Sequence, residues 1–261
     1  MGTGHRPDRP WSATAAIPIE EAHVTRLVML VAVALALAAC GGAADTRSAA
    51  PAATATTAAP TTATTAVDVA ADKAKARALV LRPSDLPAGW KATPHQDDPT
   101  DKAFDDELAA CLGRPSPSTY LTARADSPDF ARGDAEASSQ AQLVRTAADF
   151  SADVDAIRGP KFMPCVRRVA TRSLQQLAGA SVRSVAVAPL AVASHGEFSS
   201  GFRATIRLLL QGQLVSVYQD GVLLGKGRIE LTASFSNVRQ PPDPALEKAL
   251  VAKLSARLDA A

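Results

Sequence analysis

The chain has 261 residues, with 28 Lys and Arg against 26 Asp and Glu, and a formal net charge of +2. That balance, with no basic stripe anywhere, excludes the electrostatic footprint of a nucleic-acid binder. Aromatic residues make up 4% of the chain, so any core must be built mainly from Val, Leu, Ile and Ala.

In chain order the first element is an apolar run from Leu27 to Ala39. It falls short of the ~20 residues that span a hydrocarbon core and suits a signal-peptide h-region flanked by Arg26. Leu37-Ala38-Ala39-Cys40-Gly41 closes it as a lipobox. Small side chains admit a peptidase just upstream of the cut, and the Cys40 thiol accepts a diacylglyceryl group. The expectation is a leader over residues 1–39 and a lipid anchor at Cys40 that holds the protein on the extracytoplasmic face of the cell membrane. Two or three acyl chains make such an anchor effectively permanent at ~0.8 kcal/mol per buried methylene. The bland alternative is an ordinary cleaved signal followed by a stray thiol. Asp8, Glu20 and Glu21 are unusual for an n-region, and translation from Val24 is one hypothesis that accounts for them.

Residues 40–67 form the next unit. Gly41 to Ala66 is almost wholly Ala, Thr, Pro, Gly and Ser, which leaves nothing to pack and predicts a disordered linker. At ~3.3 Å per residue it would reach up to ~85 Å. Residues 68–261 are then one domain's worth of chain, long enough for a real core. With Cys40 assigned to lipid, Cys111 and Cys165 remain. Outside the cytoplasm that even pair reads as a disulfide, the alternative being two separate buried thiols.

Within the domain, Asp72–Leu79 reads as a short helix ending before Arg82-Pro83. Trp90, in Leu86-Pro87-Ala88-Gly89-Trp90, reads as a plug for the core edge rather than a ligand platform. Phe104, Leu108, Cys111 and Leu112 follow the stripe of an amphipathic helix, stopped by Gly113, with Asp101, Asp105, Asp106 and Glu107 on its other faces. From Asp134 to Val144 the pattern alternates, with Ala135, Ala137, Ser139, Ala141 and Leu143 on one face and Glu136, Ser138, Gln140 and Gln142 on the other, as in a half-buried strand. Helices are expected over Ala147–Ile157 and Phe162–Leu177. An antiparallel meander follows: Ser181–Ala188, a strand through Phe202–Leu210, a turn at Gly212, and Leu214–Leu224. The alternation loses phase at Asp220-Gly221, which predicts a bulge there, with a tight hairpin turn as the rival reading. Placing the turn at Gly225-Lys226-Gly227 leaves Ile229–Phe235 as the last strand. Asp243 caps a final helix, with Pro244 first and Leu246, Leu250, Leu254 and Leu258 recurring every four residues. The expected fold class is α+β, an antiparallel sheet of about five strands packed with helices as an α/β sandwich.

The lipobox, the Ala/Thr/Pro linker, Leu86–Trp90, the cysteine pair and the strand–Gly225-Lys226-Gly227-Arg228–strand–helix ending together resemble actinobacterial lipoproteins. In particular they are similar to the extracellular sensor domain of PknH-type kinases and to LpqN-like lipoproteins. The resemblance spans about Leu79 to Leu258 and implies a sandwich that senses or binds in the cell envelope, without established catalysis. The kinase sensor domains carry two disulfides, whereas this domain has cysteines for one, and no ligand residue transfers.

A search for chemistry finds no P-loop, dinucleotide fingerprint or G-x-S-x-G elbow around Ser194-His195. His95 and His195 are isolated in sequence, so no catalytic residue, metal ligand or cofactor is assigned. Asp97, Asp98, Asp101, Asp105, Asp106 and Glu107 form an acidic run that would attract a cation, but a solvated loop and helix start explain it. The leading expectation is a non-catalytic, lipid-anchored module binding an envelope ligand or protein partner. An envelope lipid carrier with an apolar cavity is the alternative, and an envelope hydrolase a third reading.

Overall fold

A computed structural model describes residues 67–176 and 180–261. The leader, the Cys40 anchor, nearly all of the linker and the expected end of one helix at Leu177 lie outside the described residues. Among the described residues, no helix is long and apolar enough to cross a membrane.

The chain order is α1 (Val69–Leu79), β1 (Lys91–Thr93), α2 (Pro99–Leu112), β2 (Leu121–Asp126), β3 (Asp129–Arg132), β4 (Ala135–Val144), α3 (Ala147–Arg158), α4 (Phe162–Gln175), β5 (Ala180–Pro189), β6 (Phe198–Leu210), β7 (Gln213–Lys226), β8 (Ile229–Val238) and α5 (Pro244–Ala260). All strand pairs are antiparallel, and the order across the sheet is β1-β3-β4-β8-β7-β6-β5, with β2 also paired to β4. The sheet therefore has eight strands rather than about five. The five expected strands are β4 to β8. The additional three gather on one edge, where β2 and β3 lie end to end against β4, parted at Ser127-Pro128. Ser127 bridges the gap by donating its N–H to the Ser139 carbonyl and accepting the Ser139 N–H at its hydroxyl.

Helices cover both faces of the sheet. On one, Ala76 and Leu79 of α1 and Leu250, Val251, Leu254 and Leu258 of α5 meet Ala137, Ala141, Val222, Leu224, Leu231 and Phe235. On the other, Phe104 and Leu108 of α2, Phe150 and Val154 of α3 and Phe162, Val166 and Val169 of α4 pack with Phe198, Phe202 and Leu223. This second layer corrects the half-buried reading of β4: Glu136, Gln140 and Gln142, expected to face water, are buried. Cys111 and Cys165 are joined in a disulfide that ties α2 to α4.

Several local signals act as their chemistry dictates. Asp243 Oδ1 accepts the Ala245 N–H at 2.9 Å to start α5, and Gly113 ends α2 in the left-handed region at φ 76°. Gln211 and Gly212 both have positive φ, as a two-residue hairpin turn between right-twisted strands requires. Two expectations are corrected. The β7–β8 turn falls at Gly227-Arg228, because Gly225 and Lys226 still pair with Glu230 and Ile229. No bulge or turn interrupts Asp220-Gly221, whose pairing to Arg203 and Phe202 is in continuous register. A Cβ at Gly221 would sit 2.4 Å from the Phe202 ring, so this glycine makes room for an aromatic side chain. Its neighbour Asp220 is fully buried and ion-paired with Arg203. The alternation fails there because both faces are buried, not because the strand bends.

Candidate functional site

The short β1–β3 ribbon places functional groups at both of its tips. Lys91 pairs with Ala131 and Thr93 with Asp129, so Trp90 and Arg132 flank one tip while His95 and Asp129 flank the other.

At the first tip a groove of about 740 Å³ opens where β4 begins and β8 ends; its walls include Trp90, Arg132, Glu136, Asn237, Arg239 and Leu246. The Arg132 guanidinium lies 5.2 Å from the Trp90 ring centroid, a cation–π distance. Trp90 packs partly against the core, as a plug would, but it also lines the groove. Its Nε1 is buried without a hydrogen-bond partner among the described residues. Arg239 holds φ at 73°, a conformation that costs a non-glycine residue energy, and donates its N–H to the Ser216 carbonyl at 2.7 Å.

Glu136 is the buried acid among the three that line the groove, the others being Asp134 and Asp243. Its Oε2 accepts from the Ser236 hydroxyl at 3.2 Å, while Oε1 is buried with no partner among the described residues. Burial pushes its carboxyl up to about 7, against the Ser236 hydrogen bond and with help from the charge of Asp129. The folded state therefore binds this proton more tightly than the unfolded chain. Its stabilising contribution is complete below the ordinary value of 4.5 and is lost as pH rises to about 7. Glu136→Gln is expected to flatten that fall and, above pH 7, to exceed the wild type in stability by roughly 1–3 kcal/mol. Thermal melts across this range check it; parallel curves for the two proteins count against the assignment.

At the second tip, His95 Nδ1 lies 3.2 Å from Asp129 Oδ1, and His95, Asp97 and Asp126 come together. The hydrogen bond that His95 donates to Asp129 raises the His95 pKa, against burial and with the charges of Asp126, Asp129 and Asp101. Arg124 donates through Nε to Asp126 Oδ2 at 3.0 Å, and Gln140 Nε2 to Oδ1 at 2.8 Å. The acidic run is in part the solvated loop and helix start expected, with Asp97 exposed and Asp98 capping α2, but Asp101 is 4% exposed and Asp105 fully buried, its carboxylate 3.8 Å from Arg124 Nη1. Burial, then the charge of Asp98, pushes Asp101 up to about 6.

A third group is buried between α3 and β8. Asp153 Oδ1 accepts from Arg114 Nε at 2.9 Å and from the Tyr120 hydroxyl at 3.1 Å. Burial raises the nearby Glu230 carboxyl, reinforced by Asp153. The adjoining apolar pocket among Phe150, Val154, Ile157 and Phe198 holds about 20 Å³, room for about one water. Ser194 is exposed, and His195 engages Ser199 through its backbone N–H at 3.4 Å.

None of these groupings is periodic in sequence. His95 and Asp126 meet because β1 pairs with β3, and Glu136 meets Ser236 because β4 pairs with β8. Trp90, expected only as a plug for the core edge, lines the groove as well.

No family model matches the chain, and no curated protein matches it. Among solved structures it is similar to the extracellular domain of PknH from Mycobacterium tuberculosis, at TM-score 0.44 and 10% identity over 72% of this chain and 97% of that one. It is also similar to LpqN, involved in cell envelope biogenesis of Mycobacterium tuberculosis, at TM-score 0.26 and 11% identity over 67% and 78% of the two chains. These two neighbours are of the kinds that the sequence resemblance names.

Proposed function

We propose that this chain is a lipid-anchored, extracytoplasmic module of the cell envelope that binds a polar ligand or partner segment in the Trp90–Glu136 groove, without catalysing a reaction on it. The observation that carries this reading is a groove of about 740 Å³ with two unsatisfied buried polar atoms in its lining residues, Trp90 Nε1 and Glu136 Oε1. Leaving such atoms unpaired costs about 1–3 kcal/mol each, a cost that a hydrogen-bonding ligand removes. Arg132, stacked on the indole, adds a cation and a flat apolar platform.

The pocket beside Phe150 and Val154, at about 20 Å³, is far too small for an acyl chain and lends the lipid-carrier reading no support. For a hydrolase, the groove lining includes no Ser–His pair, and Ser194 and His195 are not among its walls.

Native mass spectrometry of the protein taken from its own membrane tests the proposal. The expected result is a bound polar species that Arg132→Ala and Trp90→Ala each weaken at least tenfold. A tightly held diacyl lipid unaffected by either substitution overturns it in favour of the carrier.

A further inference from the structure

The loop from β1 to α2 and the junction of β2 with β3 bring His95, Asp97 and Asp126 to one place, with a ligand atom of each within 4.8 Å of the others. Exposed acids cluster often without holding anything, and two further observations separate this cluster from that background. Asp101, in the first turn of α2, is 4% exposed, and its Oδ2 is buried with no hydrogen-bond partner among the described residues. It lies within electrostatic reach of His95, next to the trio whose ligand atoms are within 4.8 Å of one another but not itself one of them. His95 supplies the second observation. In the neutral ring with Nδ1–H donated to Asp129, Nε2 presents a lone pair, and Nε2 too is buried without a partner among the described residues. A carboxylate on one ring nitrogen with the other left bare is how metal-bound histidines are oriented.

We infer that His95, Asp97, Asp101 and Asp126 form a binding site for a divalent transition-metal ion of the Zn²⁺ class. His95 offers Nε2, Asp97 and Asp126 offer one oxygen each, Asp101 Oδ2 completes the set, and Asp129 positions the imidazole. An imidazole among carboxylates favours Zn²⁺ over Ca²⁺ and Mg²⁺, which prefer shells of oxygen alone. Tetrahedral Zn²⁺ with bonds of ~2.0–2.2 Å sets donor atoms roughly 3.4 Å apart. The trio of His95, Asp97 and Asp126 must therefore close by up to about 1.4 Å, and Asp101 must swing in from outside it; Asp97, exposed on its loop, has the freedom to move. Arg124 and Gln140 hold Asp126 in place through donated hydrogen bonds. The Arg124 charge also lets three ligand carboxylates balance a dication. The ion would fasten the start of α2 to the β1–β3 ribbon.

The test uses the full-length untagged chain, stripped with a chelator and titrated calorimetrically with Zn²⁺ and, separately, Ca²⁺. One Zn²⁺ per chain is expected, with micromolar or tighter affinity and a raised melting temperature. His95→Ala and Asp101→Asn should each weaken binding about 100-fold, and Asp129→Asn, which acts through the imidazole, about 10- to 100-fold. Asp101→Asn removes an orphaned acid and should leave the metal-free melting temperature unchanged or higher, so its loss of binding cannot be ascribed to unfolding. Absence of stoichiometric Zn²⁺ uptake, wild-type affinity in both His95→Ala and Asp101→Asn, or Ca²⁺ binding as tight as Zn²⁺ each overturn the inference.

Discussion

Replacing Cys111 and Cys165 together by alanine is expected to destabilise the domain by about 4 kcal/mol on the chain-entropy model. The two residues are 54 positions apart, so the closed loop is long and the unfolded chain regains much freedom once the bond is gone. For a domain of this size the loss corresponds to a fall in melting temperature of roughly 8–16 °C. It is also a large share of the ~5–15 kcal/mol that holds a typical domain together. Folded-state packing should survive, because Phe104 and Leu108 of α2 and Val166 and Val169 of α4 remain in contact through the same apolar layer. Urea unfolding with and without reductant measures the effect. Coincident curves for oxidised and reduced wild type would show that the bond constrains nothing.

The second large effect is expected at Arg203. Its Nε donates to Asp220 Oδ1 at 2.6 Å, and a terminal nitrogen of the same guanidinium donates to Oδ2. Asp220 is fully buried in the middle of β7, facing the α5 side, where Glu247 is held up to about 7 by burial and then by the charge of Asp220. Arg203→Ala strands that carboxylate without its cation, a change that costs about 3–5 kcal/mol. Adding Asp220→Asn should return a substantial part, because the residue left behind is then neutral. A double variant as unstable as the single one, or a single variant within about 0.5 kcal/mol of wild type, would falsify the ion pair's structural role.

These two positions also illustrate what sequence could and could not reveal. Long, periodic elements were legible: the leucine row of α5, the alternation of β6 and β8, and the glycine stop of α2 each announce themselves locally. Asp220-Gly221 misled because two unrelated demands, a buried ion pair and space for the Phe202 ring, fall on adjacent residues and imitate a turn. The strands β1, β2 and β3 escaped notice because they are short, lie at an edge and are parted by Ser127-Pro128. The polar face of β4 read as solvated because nothing local tells that a second helical layer packs on that side of the sheet.

The candidate sites were less legible still. Trp90 was visible as a single large aromatic, but its groove is made by residues more than a hundred positions further on, among them Asn237 and Arg239. His95 looked solitary because Asp126 and Asp129 reach it only through strand pairing.

The β1–β3 ribbon has a mechanical consequence. Three residues paired to four make too little structure to hold a shape alone, so the ribbon takes its stiffness from the Phe130–Arg132 stretch laid against β4. Trp90 and Arg132 ride on one end of this small lever, His95 and Asp129 on the other. Phe130, 1% exposed, is the fulcrum, so a change there would displace both ends together.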